Sequence, residues 1–240
     1  MKAALVAGFG TQLALVCAGW RKDLPDNCLV VSKPPGRGQF DTVQRAVDSL
    51  STTSDVGQCI TIERGEYIEG VYGRARLTVF GETAAADDRA AAQYADNMVT
   101  LKANITPGAV ETGIPDPSAL GYYGCQIRGR RAALPTASGH QLYVRCLVQG
   151  NKDLVYVNEA AAWFERSDIS LLEVHRGYIT ANGKRSADDK SIFVFNQCNV
   201  SSVLGTSAKQ ETYFLGHPKG AFAQVVFQNT DLPKAINPRG

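Results

Sequence analysis

Two stretches of sequence decide the fold: Tyr-Tyr-Gly-Cys-Gln-Ile at residues 122–127 and Tyr-Val-Arg-Cys-Leu-Val at residues 143–148. In each, an aromatic residue is followed three positions later by Cys, and two positions after that by an aliphatic residue. The same pattern, with Cys, Ser or Thr in the middle, occurs again further along the chain. Its five middle residues are Cys125, Cys146, Ser167, Cys198 and Thr230.

The spacing of these middle residues is 21, 21, 31 and 32, from 125 to 146, 167, 198 and 230. A period in the low twenties that lengthens by whole loops is typical of a solenoid, whose coils pack only on their neighbours and carry insertions on one face. The runs between turns are short and β-prone, which predicts a parallel β-helix with the repeat residues stacked inside it. We therefore predict that Cys125, Cys146 and Cys198 fill the core; disulfide pairing is the alternative.

One helix is predicted ahead of the repeats, at about residues 41–50. Asp41 can cap it, and Gln44 three residues later completes a capping box. Its apolar face consists of Val43, Ala46, Val47 and Leu50. We expect this short N-terminal helix to cover the end of the solenoid.

The first 18 residues are typical of a signal peptide. Met1 and Lys2 precede an apolar stretch at residues 3–18, and Val-Cys-Ala at residues 16–18 is a small-residue cleavage site. A buried first strand or helix is the alternative, because Gly8 and Gly10 interrupt the run. We expect a secreted protein with a single domain at residues 19–240, and no membrane association, because no other stretch approaches the roughly 20 apolar residues of a membrane span.

Composition narrows the class of protein. Hydrophobic residues make up 44% and charged residues 20%, which is ordinary globular composition, and the formal net charge is +2. Such a weak charge does not indicate a nucleic-acid partner. The cysteines form no CxxC pair and no metal-ligand spacing with histidine, so we expect no metal site. We expect a monomer.

Several ordered segments resemble one family. They lie at residues 40–47, 60–69, 121–125, 162–164, 178–183 and 225–230. Through them the chain, from Leu29 onward, resembles the pectin methylesterases, and the fungal branch most closely. The resemblance implies an all-β, right-handed parallel β-helix that is secreted to the extracellular space or cell wall and acts on pectin (homogalacturonan) without a cofactor.

The chemistry implied by this resemblance uses two aspartates. One attacks the ester carbonyl, and the other gives a proton to departing methanol and then activates water, while glutamine side chains stabilise the oxyanion. Residues 151–156 align with the family segment that carries the nucleophile, so Asp153 stands at that position. Ala132 then stands at the acid/base position and Arg131 at an oxyanion glutamine. A solvated strand residue is the alternative reading of Asp153.

Two further positions are substituted by the same alignment. His217 stands where the family has the arginine that orients the nucleophile, and Lys219 stands at a sugar-stacking tryptophan. His217 is either a partner of Asp153 or an inert loop residue. If Asp153 points outward on a strand, alternation sends Lys152 inward. Residues 104–120 form a shorter stretch than in the family, which leaves another active-site glutamine without a counterpart.

Basic residues near these positions suggest a ligand. Arg128, Arg130 and Arg131, with His140 and Lys219, are expected to replace an acidic and aromatic cleft by a basic one that favours de-esterified pectin. A solvated basic edge is the alternative. We therefore expect a pectinesterase-like protein that acts on or binds homogalacturonan, with strongly reduced or absent ester hydrolysis. The alternatives are an active esterase using Asp153, a β-helical wall protein, and a shortened gene product without function.

Overall fold

The computed structural model describes residues 25, 27–71, 76–83, 97–102, 119–129, 134–135, 138–157, 159–203 and 210–240. The predicted signal peptide at residues 1–18 lies outside these ranges, and so do Arg130, Arg131 and Ala132. Within them the chain forms one helix and many short strands. In chain order these are β1 (Leu29–Val31), α1 (Val43–Asp48), β2 (Gln58–Ile62), β3 (Gly65–Ile68), β4 (Leu77–Gly81), β5 (Val99–Lys102), β6 (Leu120–Tyr123), β7 (Cys125–Arg128), β8 (Leu134–Pro135), β9 (Ser138–Val144), β10 (Leu147–Gly150), β11 (Val155–Val157), β12 (Glu159–Glu165), β13 (Asp168–Leu171), β14 (Gly177–Asn182), β15 (Ile192–Asn196), β16 (Asn199–Ser202), β17 (Tyr213–Gly216) and β18 (Val225–Gln228).

The strands form three parallel sheets. The first has eight strands in the order β1-β2-β4-β6-β9-β12-β15-β18, the second has six in the order β3-β5-β7-β10-β13-β16, and the third has four in the order β8-β11-β14-β17. Each coil passes through the three sheets in turn, so that β9, β10 and β11 make one coil and β12, β13 and β14 make the next. The fold is a right-handed parallel β-helix, as predicted.

The five repeat residues lie in successive coils, at the corner between the first and second sheets. The register pairs Leu147 with Gln126 on one side and with Asp168 on the other, which brings Cys146 beside both Cys125 and Ser167. Four of the five are buried and Thr230, in the last coil, is half-buried. Cys125, Cys146 and Cys198 are free thiols, so the prediction that they fill the core is confirmed.

Backbone hydrogen bonding explains why this position takes Cys, Ser or Thr. The Cys146 amide donates to Ser167 Oγ at 3.1 Å, and the Cys198 amide donates to Thr230 Oγ1 at 3.2 Å. The thiols at the same position donate to carbonyl groups of the preceding coil, Cys146 to Tyr122 at 3.4 Å and Cys198 to Phe164 at 3.5 Å. At each corner the preceding residue has a positive φ, between 47° and 63°. Ser167 and Thr230 thus each satisfy an amide at the tight corner, and the thiols bond to carbonyl groups there.

The aromatic residues of the repeat form a continuous stack inside the first sheet. The stack runs through Tyr122, Tyr143, Phe164, Phe195 and Phe227. Ring centroids are 5.4, 4.7, 4.5 and 4.5 Å apart, with interplanar angles of 3° to 8°. Since neighbouring strands lie about 4.8 Å apart, one ring in each coil fills the interior without a gap.

The helix is shorter than predicted and is capped differently. Thr42, not Asp41, is the N-cap, and its side chain accepts from the Arg45 amide. The carboxylate of Glu69 accepts from the amides of Val43 and Gln44 at 3.0 and 2.8 Å, which satisfies two more orphan donors. The buried face of α1 packs against β1 and β2, so the helix covers the N-terminal end of the first sheet as expected.

A disulfide closes the same end of the molecule. Cys28, just before β1, is bonded to Cys59 in β2, and these strands are neighbours in the first sheet. Among the described residues, no helix is long and apolar enough to cross a membrane.

Candidate functional site

Asp153 lies in a bend between β10 and β11, at the start of the third sheet. Its φ is +50°, a left-handed conformation uncommon for a residue with a side chain. The bend is held by the Leu154 amide, which donates to the Tyr178 carbonyl at 3.1 Å, and by the Asn151 side chain, which accepts from the Lys152 amide at 2.7 Å. Lys152 is exposed. The prediction that Lys152 points inward is wrong, because residues 151–154 do not alternate as a strand does.

His217 follows β17 and reaches back over the third sheet to Asp153. Its backbone amide donates to the Thr180 carbonyl at 2.8 Å, which fixes the start of the loop. Its Nδ1 lies 3.2 Å from Asp153 Oδ1, and both side chains are partly open to solvent, 36% for His217 and 22% for Asp153. The imidazole also stacks on Tyr178, with ring centroids 4.4 Å apart. The structure thus brings together the positions predicted for the nucleophile and its orienting residue.

Lys219 completes a short polar chain. Its Nζ lies 3.5 Å from His217 Nε2. An ammonium group can only donate, so a hydrogen bond at this contact requires the His217 tautomer that carries its proton on Nδ1, facing Asp153. That tautomer offers the carboxylate one hydrogen bond, whereas a guanidinium would offer a fixed positive fork.

Three residues of this site were not predicted from the sequence. Tyr178 in β14 and Phe214 in β17 are register partners, and their rings stack with centroids 5.6 Å apart. The guanidinium carbon of Arg176 lies over Phe214, 5.4 Å from its centroid. The sequence feature that could have identified Tyr178 is the strand-like alternation of residues 177–181. It places Tyr178 and Thr180 on the face opposite to Ile179.

The other predicted ligand-binding residues lie on different sheets. Arg128 ends β7 in the second sheet, where its guanidinium donates to Gln126 Oε1 at 2.6 Å and to Gln149 Oε1 at 3.0 Å. His140 is exposed on β9 in the first sheet. Arg128 and His140 thus belong to two different sheets, and their part in binding stays a prediction.

The predicted acid/base and oxyanion positions, Ala132 and Arg131, lie outside the described residues, as does Arg130. Their roles remain those that the resemblance implies. Within the described ranges, no group of three or more His, Cys, Asp or Glu side chains is arranged to hold a metal ion.

Comparison with known proteins supplies the family. The model of the family described as Pectinesterase matches residues 113–240, which contain Asp153, His217 and Lys219. A pectinesterase of Aspergillus niger is 34% identical over 260 residues, an alignment that covers 95% of this chain and 78% of the relative. The chain belongs to the pectinesterase family.

Solved structures of pectinesterases have the same fold. The pectin methylesterase of Aspergillus niger in a penultimately deglycosylated form superposes with a TM-score of 0.67 at 28% identity, covering 92% of this chain and 81% of that one. A pectin methylesterase in complex with a hexasaccharide superposes with a TM-score of 0.60, covering 89% of this chain and 81% of that one; at 16% identity this likeness shows the fold alone.

Proposed function

We propose that this pectinesterase-family chain binds homogalacturonan in the cell wall and hydrolyses its methyl esters weakly or not at all. The observation that carries the proposal is the environment of Asp153. Its carboxylate contacts one imidazole at 3.2 Å, and in the part of the chain that the structure describes no second carboxyl group contacts it. Attack on the ester needs both a free nucleophile and a nearby proton donor.

The missing proton donor is the main obstacle to catalysis. Methoxide is a poor leaving group unless a proton reaches it, and Ala132 at the acid/base position supplies none. Loss of one general acid lowers the rate by about 10² to 10⁴-fold. Arg131 stands at the position of an oxyanion donor, and loss of such a donor lowers the rate by about 10² to 10³-fold. The two losses do not simply add.

The proposed compartment is extracellular. The Cys28–Cys59 disulfide supports it, because disulfides persist in oxidising compartments. The apolar first 18 residues support it as well. Homogalacturonan as ligand is supported by membership of the pectinesterase family.

Binding is tested by co-sedimentation of the purified chain with insoluble homogalacturonan, with cellulose as a matched polysaccharide that lacks carboxyl groups. We expect retention on homogalacturonan at physiological salt and little on cellulose. Equal partition onto both polymers, or no retention on either, contradicts the proposal.

The contact between Asp153 and His217 favours a second candidate, an active esterase in which His217 has taken over proton transfer. A doubly protonated imidazole could give a proton to the departing methoxide, which leaves as methanol, and the neutral ring could then take a proton from the attacking water. In that case His217→Gln lowers methanol release by about 10²-fold or more relative to the unmodified chain. Under the main proposal both proteins release methanol at the background rate.

A further inference from the structure

A row of cationic and aromatic side chains crosses the third sheet beside Asp153. It begins at Arg176, whose guanidinium carbon is 5.4 Å from the centroid of Phe214. Phe214 stacks on Tyr178 at 5.6 Å, and Tyr178 stacks on His217 at 4.4 Å. The row ends at Lys219, 3.5 Å from His217. Its two ends are therefore positive and its middle is aromatic, with the Asp153 carboxylate at one side.

The two terminal cations lack the carboxylate partners that other cations in this molecule have. Arg45 pairs with Asp41 at 2.8 Å, Arg64 pairs with Glu82 at 2.7 Å, and Lys102 pairs with Glu66. Within the described ranges, Arg176 makes no ion pair, and the polar contact of the Lys219 ammonium group is with the His217 imidazole. Arg176 is exposed, while Tyr178 and Phe214 are half-buried.

This arrangement suits a chain of acidic sugars. Half-buried rings offer apolar surface to the faces of sugar rings, and a few well-placed polar groups fix orientation. Arginine binds carboxylates through its planar fork, and lysine binds them as a point charge. A methyl ester is neutral and cannot form these charge-assisted bonds.

We propose that Arg176 and Lys219 form a carboxylate-binding subsite that selects free-acid galacturonate units on the two sides of the Asp153–His217 pair, with Phe214 and Tyr178 as its floor. The inference rests on the proposed function, since it specifies which form of homogalacturonan is bound. It places the chain after a reaction that has already removed methyl esters. Arg176, rather than Arg128, becomes the arginine that determines specificity, because the Arg128 guanidinium already bonds to two glutamines.

The test compares two oligogalacturonides of equal length, one de-esterified and one fully methyl-esterified, by isothermal titration calorimetry. The proteins are the unmodified chain, Arg176→Gln, Phe214→Leu, and Arg37→Gln as a matched control. Arg37 is exposed in the loop before α1, remote from the third sheet in the chain, and its substitution makes the same change in net charge. Thermal unfolding of each variant shows whether it is folded.

We expect the unmodified chain to bind the de-esterified oligomer about tenfold more tightly, and the preference to shrink at high salt. Arg176→Gln should weaken that binding about threefold to tenfold and leave the esterified oligomer unaffected, whereas Arg37→Gln changes neither. Phe214→Leu should weaken both. The inference is overturned if the unmodified chain prefers the de-esterified oligomer but Arg176→Gln changes its affinity no more than Arg37→Gln does. The proposed function would still stand in that case. No binding of either oligomer overturns both.

Discussion

At the scale of single residues, the contact between His217 and Asp153 sets this site apart from the arginine–aspartate pair that the resemblance implies for the family. A guanidinium is always charged and binds a carboxylate through two parallel hydrogen bonds. The imidazole of His217 meets Asp153 through Nδ1 alone, and its Nε2 lies beside the ammonium group of Lys219. The Asp153 backbone has a positive φ, which the Leu154–Tyr178 hydrogen bond helps to hold. The position is therefore fixed by the fold even though its chemical partners differ from those that the resemblance implies.

Asp168 gives a residue-scale prediction about pH. It lies at the start of β13, where burial raises the pKa of its carboxyl to about 6 and the Asn199 amide, donating at 3.1 Å, partly opposes the shift. The unfolded pKa is about 3.9, so the folded protein holds this proton more tightly. Its contribution to stability is fully present below about pH 4 and is lost as the pH rises toward 6.

Asp168→Asn removes this titration and keeps an oxygen that can accept from Asn199. We expect the variant to be more stable than the unmodified chain above pH 6, and its thermal midpoint to fall less between pH 4 and pH 6. Asp188→Asn, at an exposed aspartate, is the control. Parallel pH profiles for the unmodified chain and Asp168→Asn would show that burial does not shift this carboxyl.

At the scale of elements, the corner between the first and second sheets is the unit that repeats. Ser167 is fully buried, accepts from the Cys146 amide at 3.1 Å and donates to the Tyr143 carbonyl at 3.3 Å. Ser167→Ala leaves that amide without an acceptor, which should lower the free energy of unfolding by about 1–3 kcal/mol. Ser167→Cys should cost less, since sulfur is a weak acceptor and buried cysteines already fill this corner position in neighbouring coils.

Urea unfolding of the two variants measures the difference. A lower midpoint for the alanine variant than for the cysteine variant, with unchanged slopes, is the expected result. If both variants lose the same stability, the amide bond is not the reason that this position takes Cys, Ser or Thr.

The repeat could be predicted from the sequence because each coil carries the same short pattern of residues and the patterns follow one another along the chain. The aromatic stack and the buried cysteines followed from that spacing alone. The cap of α1 could not, since Glu69 lies in the coil that follows and meets Val43 only in three dimensions. Thr and Asp are both favoured at the N-cap, so the sequence alone does not show whether Thr42 or Asp41 caps the helix; the backbone conformation in the structure does.

The candidate site was partly predictable for the same reason. Asp153 and His217 were found through resemblance, and the structure places them in contact. Arg176 and Phe214 were missed because they come from different coils and neither belongs to a segment that carries the resemblance. The bonds from Arg128 to glutamine side chains depend on the register of β7 and β10, which the hydrophobic pattern does not encode.

At the scale of the whole molecule, a solenoid is stabilised chiefly by contacts between adjacent coils, so its ends need protection. Here α1 and the Cys28–Cys59 disulfide both close the N-terminal end, and the disulfide links the two strands that begin the first sheet. A break at this end exposes the first strand pair without directly changing the site on the third sheet.

The double variant Cys28→Ser, Cys59→Ser tests this protection. Since the bridge spans a sequence separation of 31, we expect a loss of about 2–4 kcal/mol in the free energy of unfolding. Dithiothreitol should lower the thermal midpoint of the unmodified chain and leave that of the double variant unchanged, because the remaining described cysteines are free and buried. Equal midpoints for the unmodified chain with and without reductant would contradict a stabilising role.

The central claim is that a pectinesterase-family β-helix has kept its ligand surface and lost most of its hydrolysis. Methanol release from highly methylated pectin tests it most directly, with Asp153→Asn as the blank and an active fungal pectinesterase as the positive control. We predict equal rates for the unmodified chain and Asp153→Asn, both near background, because the resemblance puts Ala132 at the acid/base position and, within the described ranges, no second carboxyl group contacts Asp153. A rate for the unmodified chain well above that of Asp153→Asn would contradict the account and would make His217 the first candidate for the proton donor.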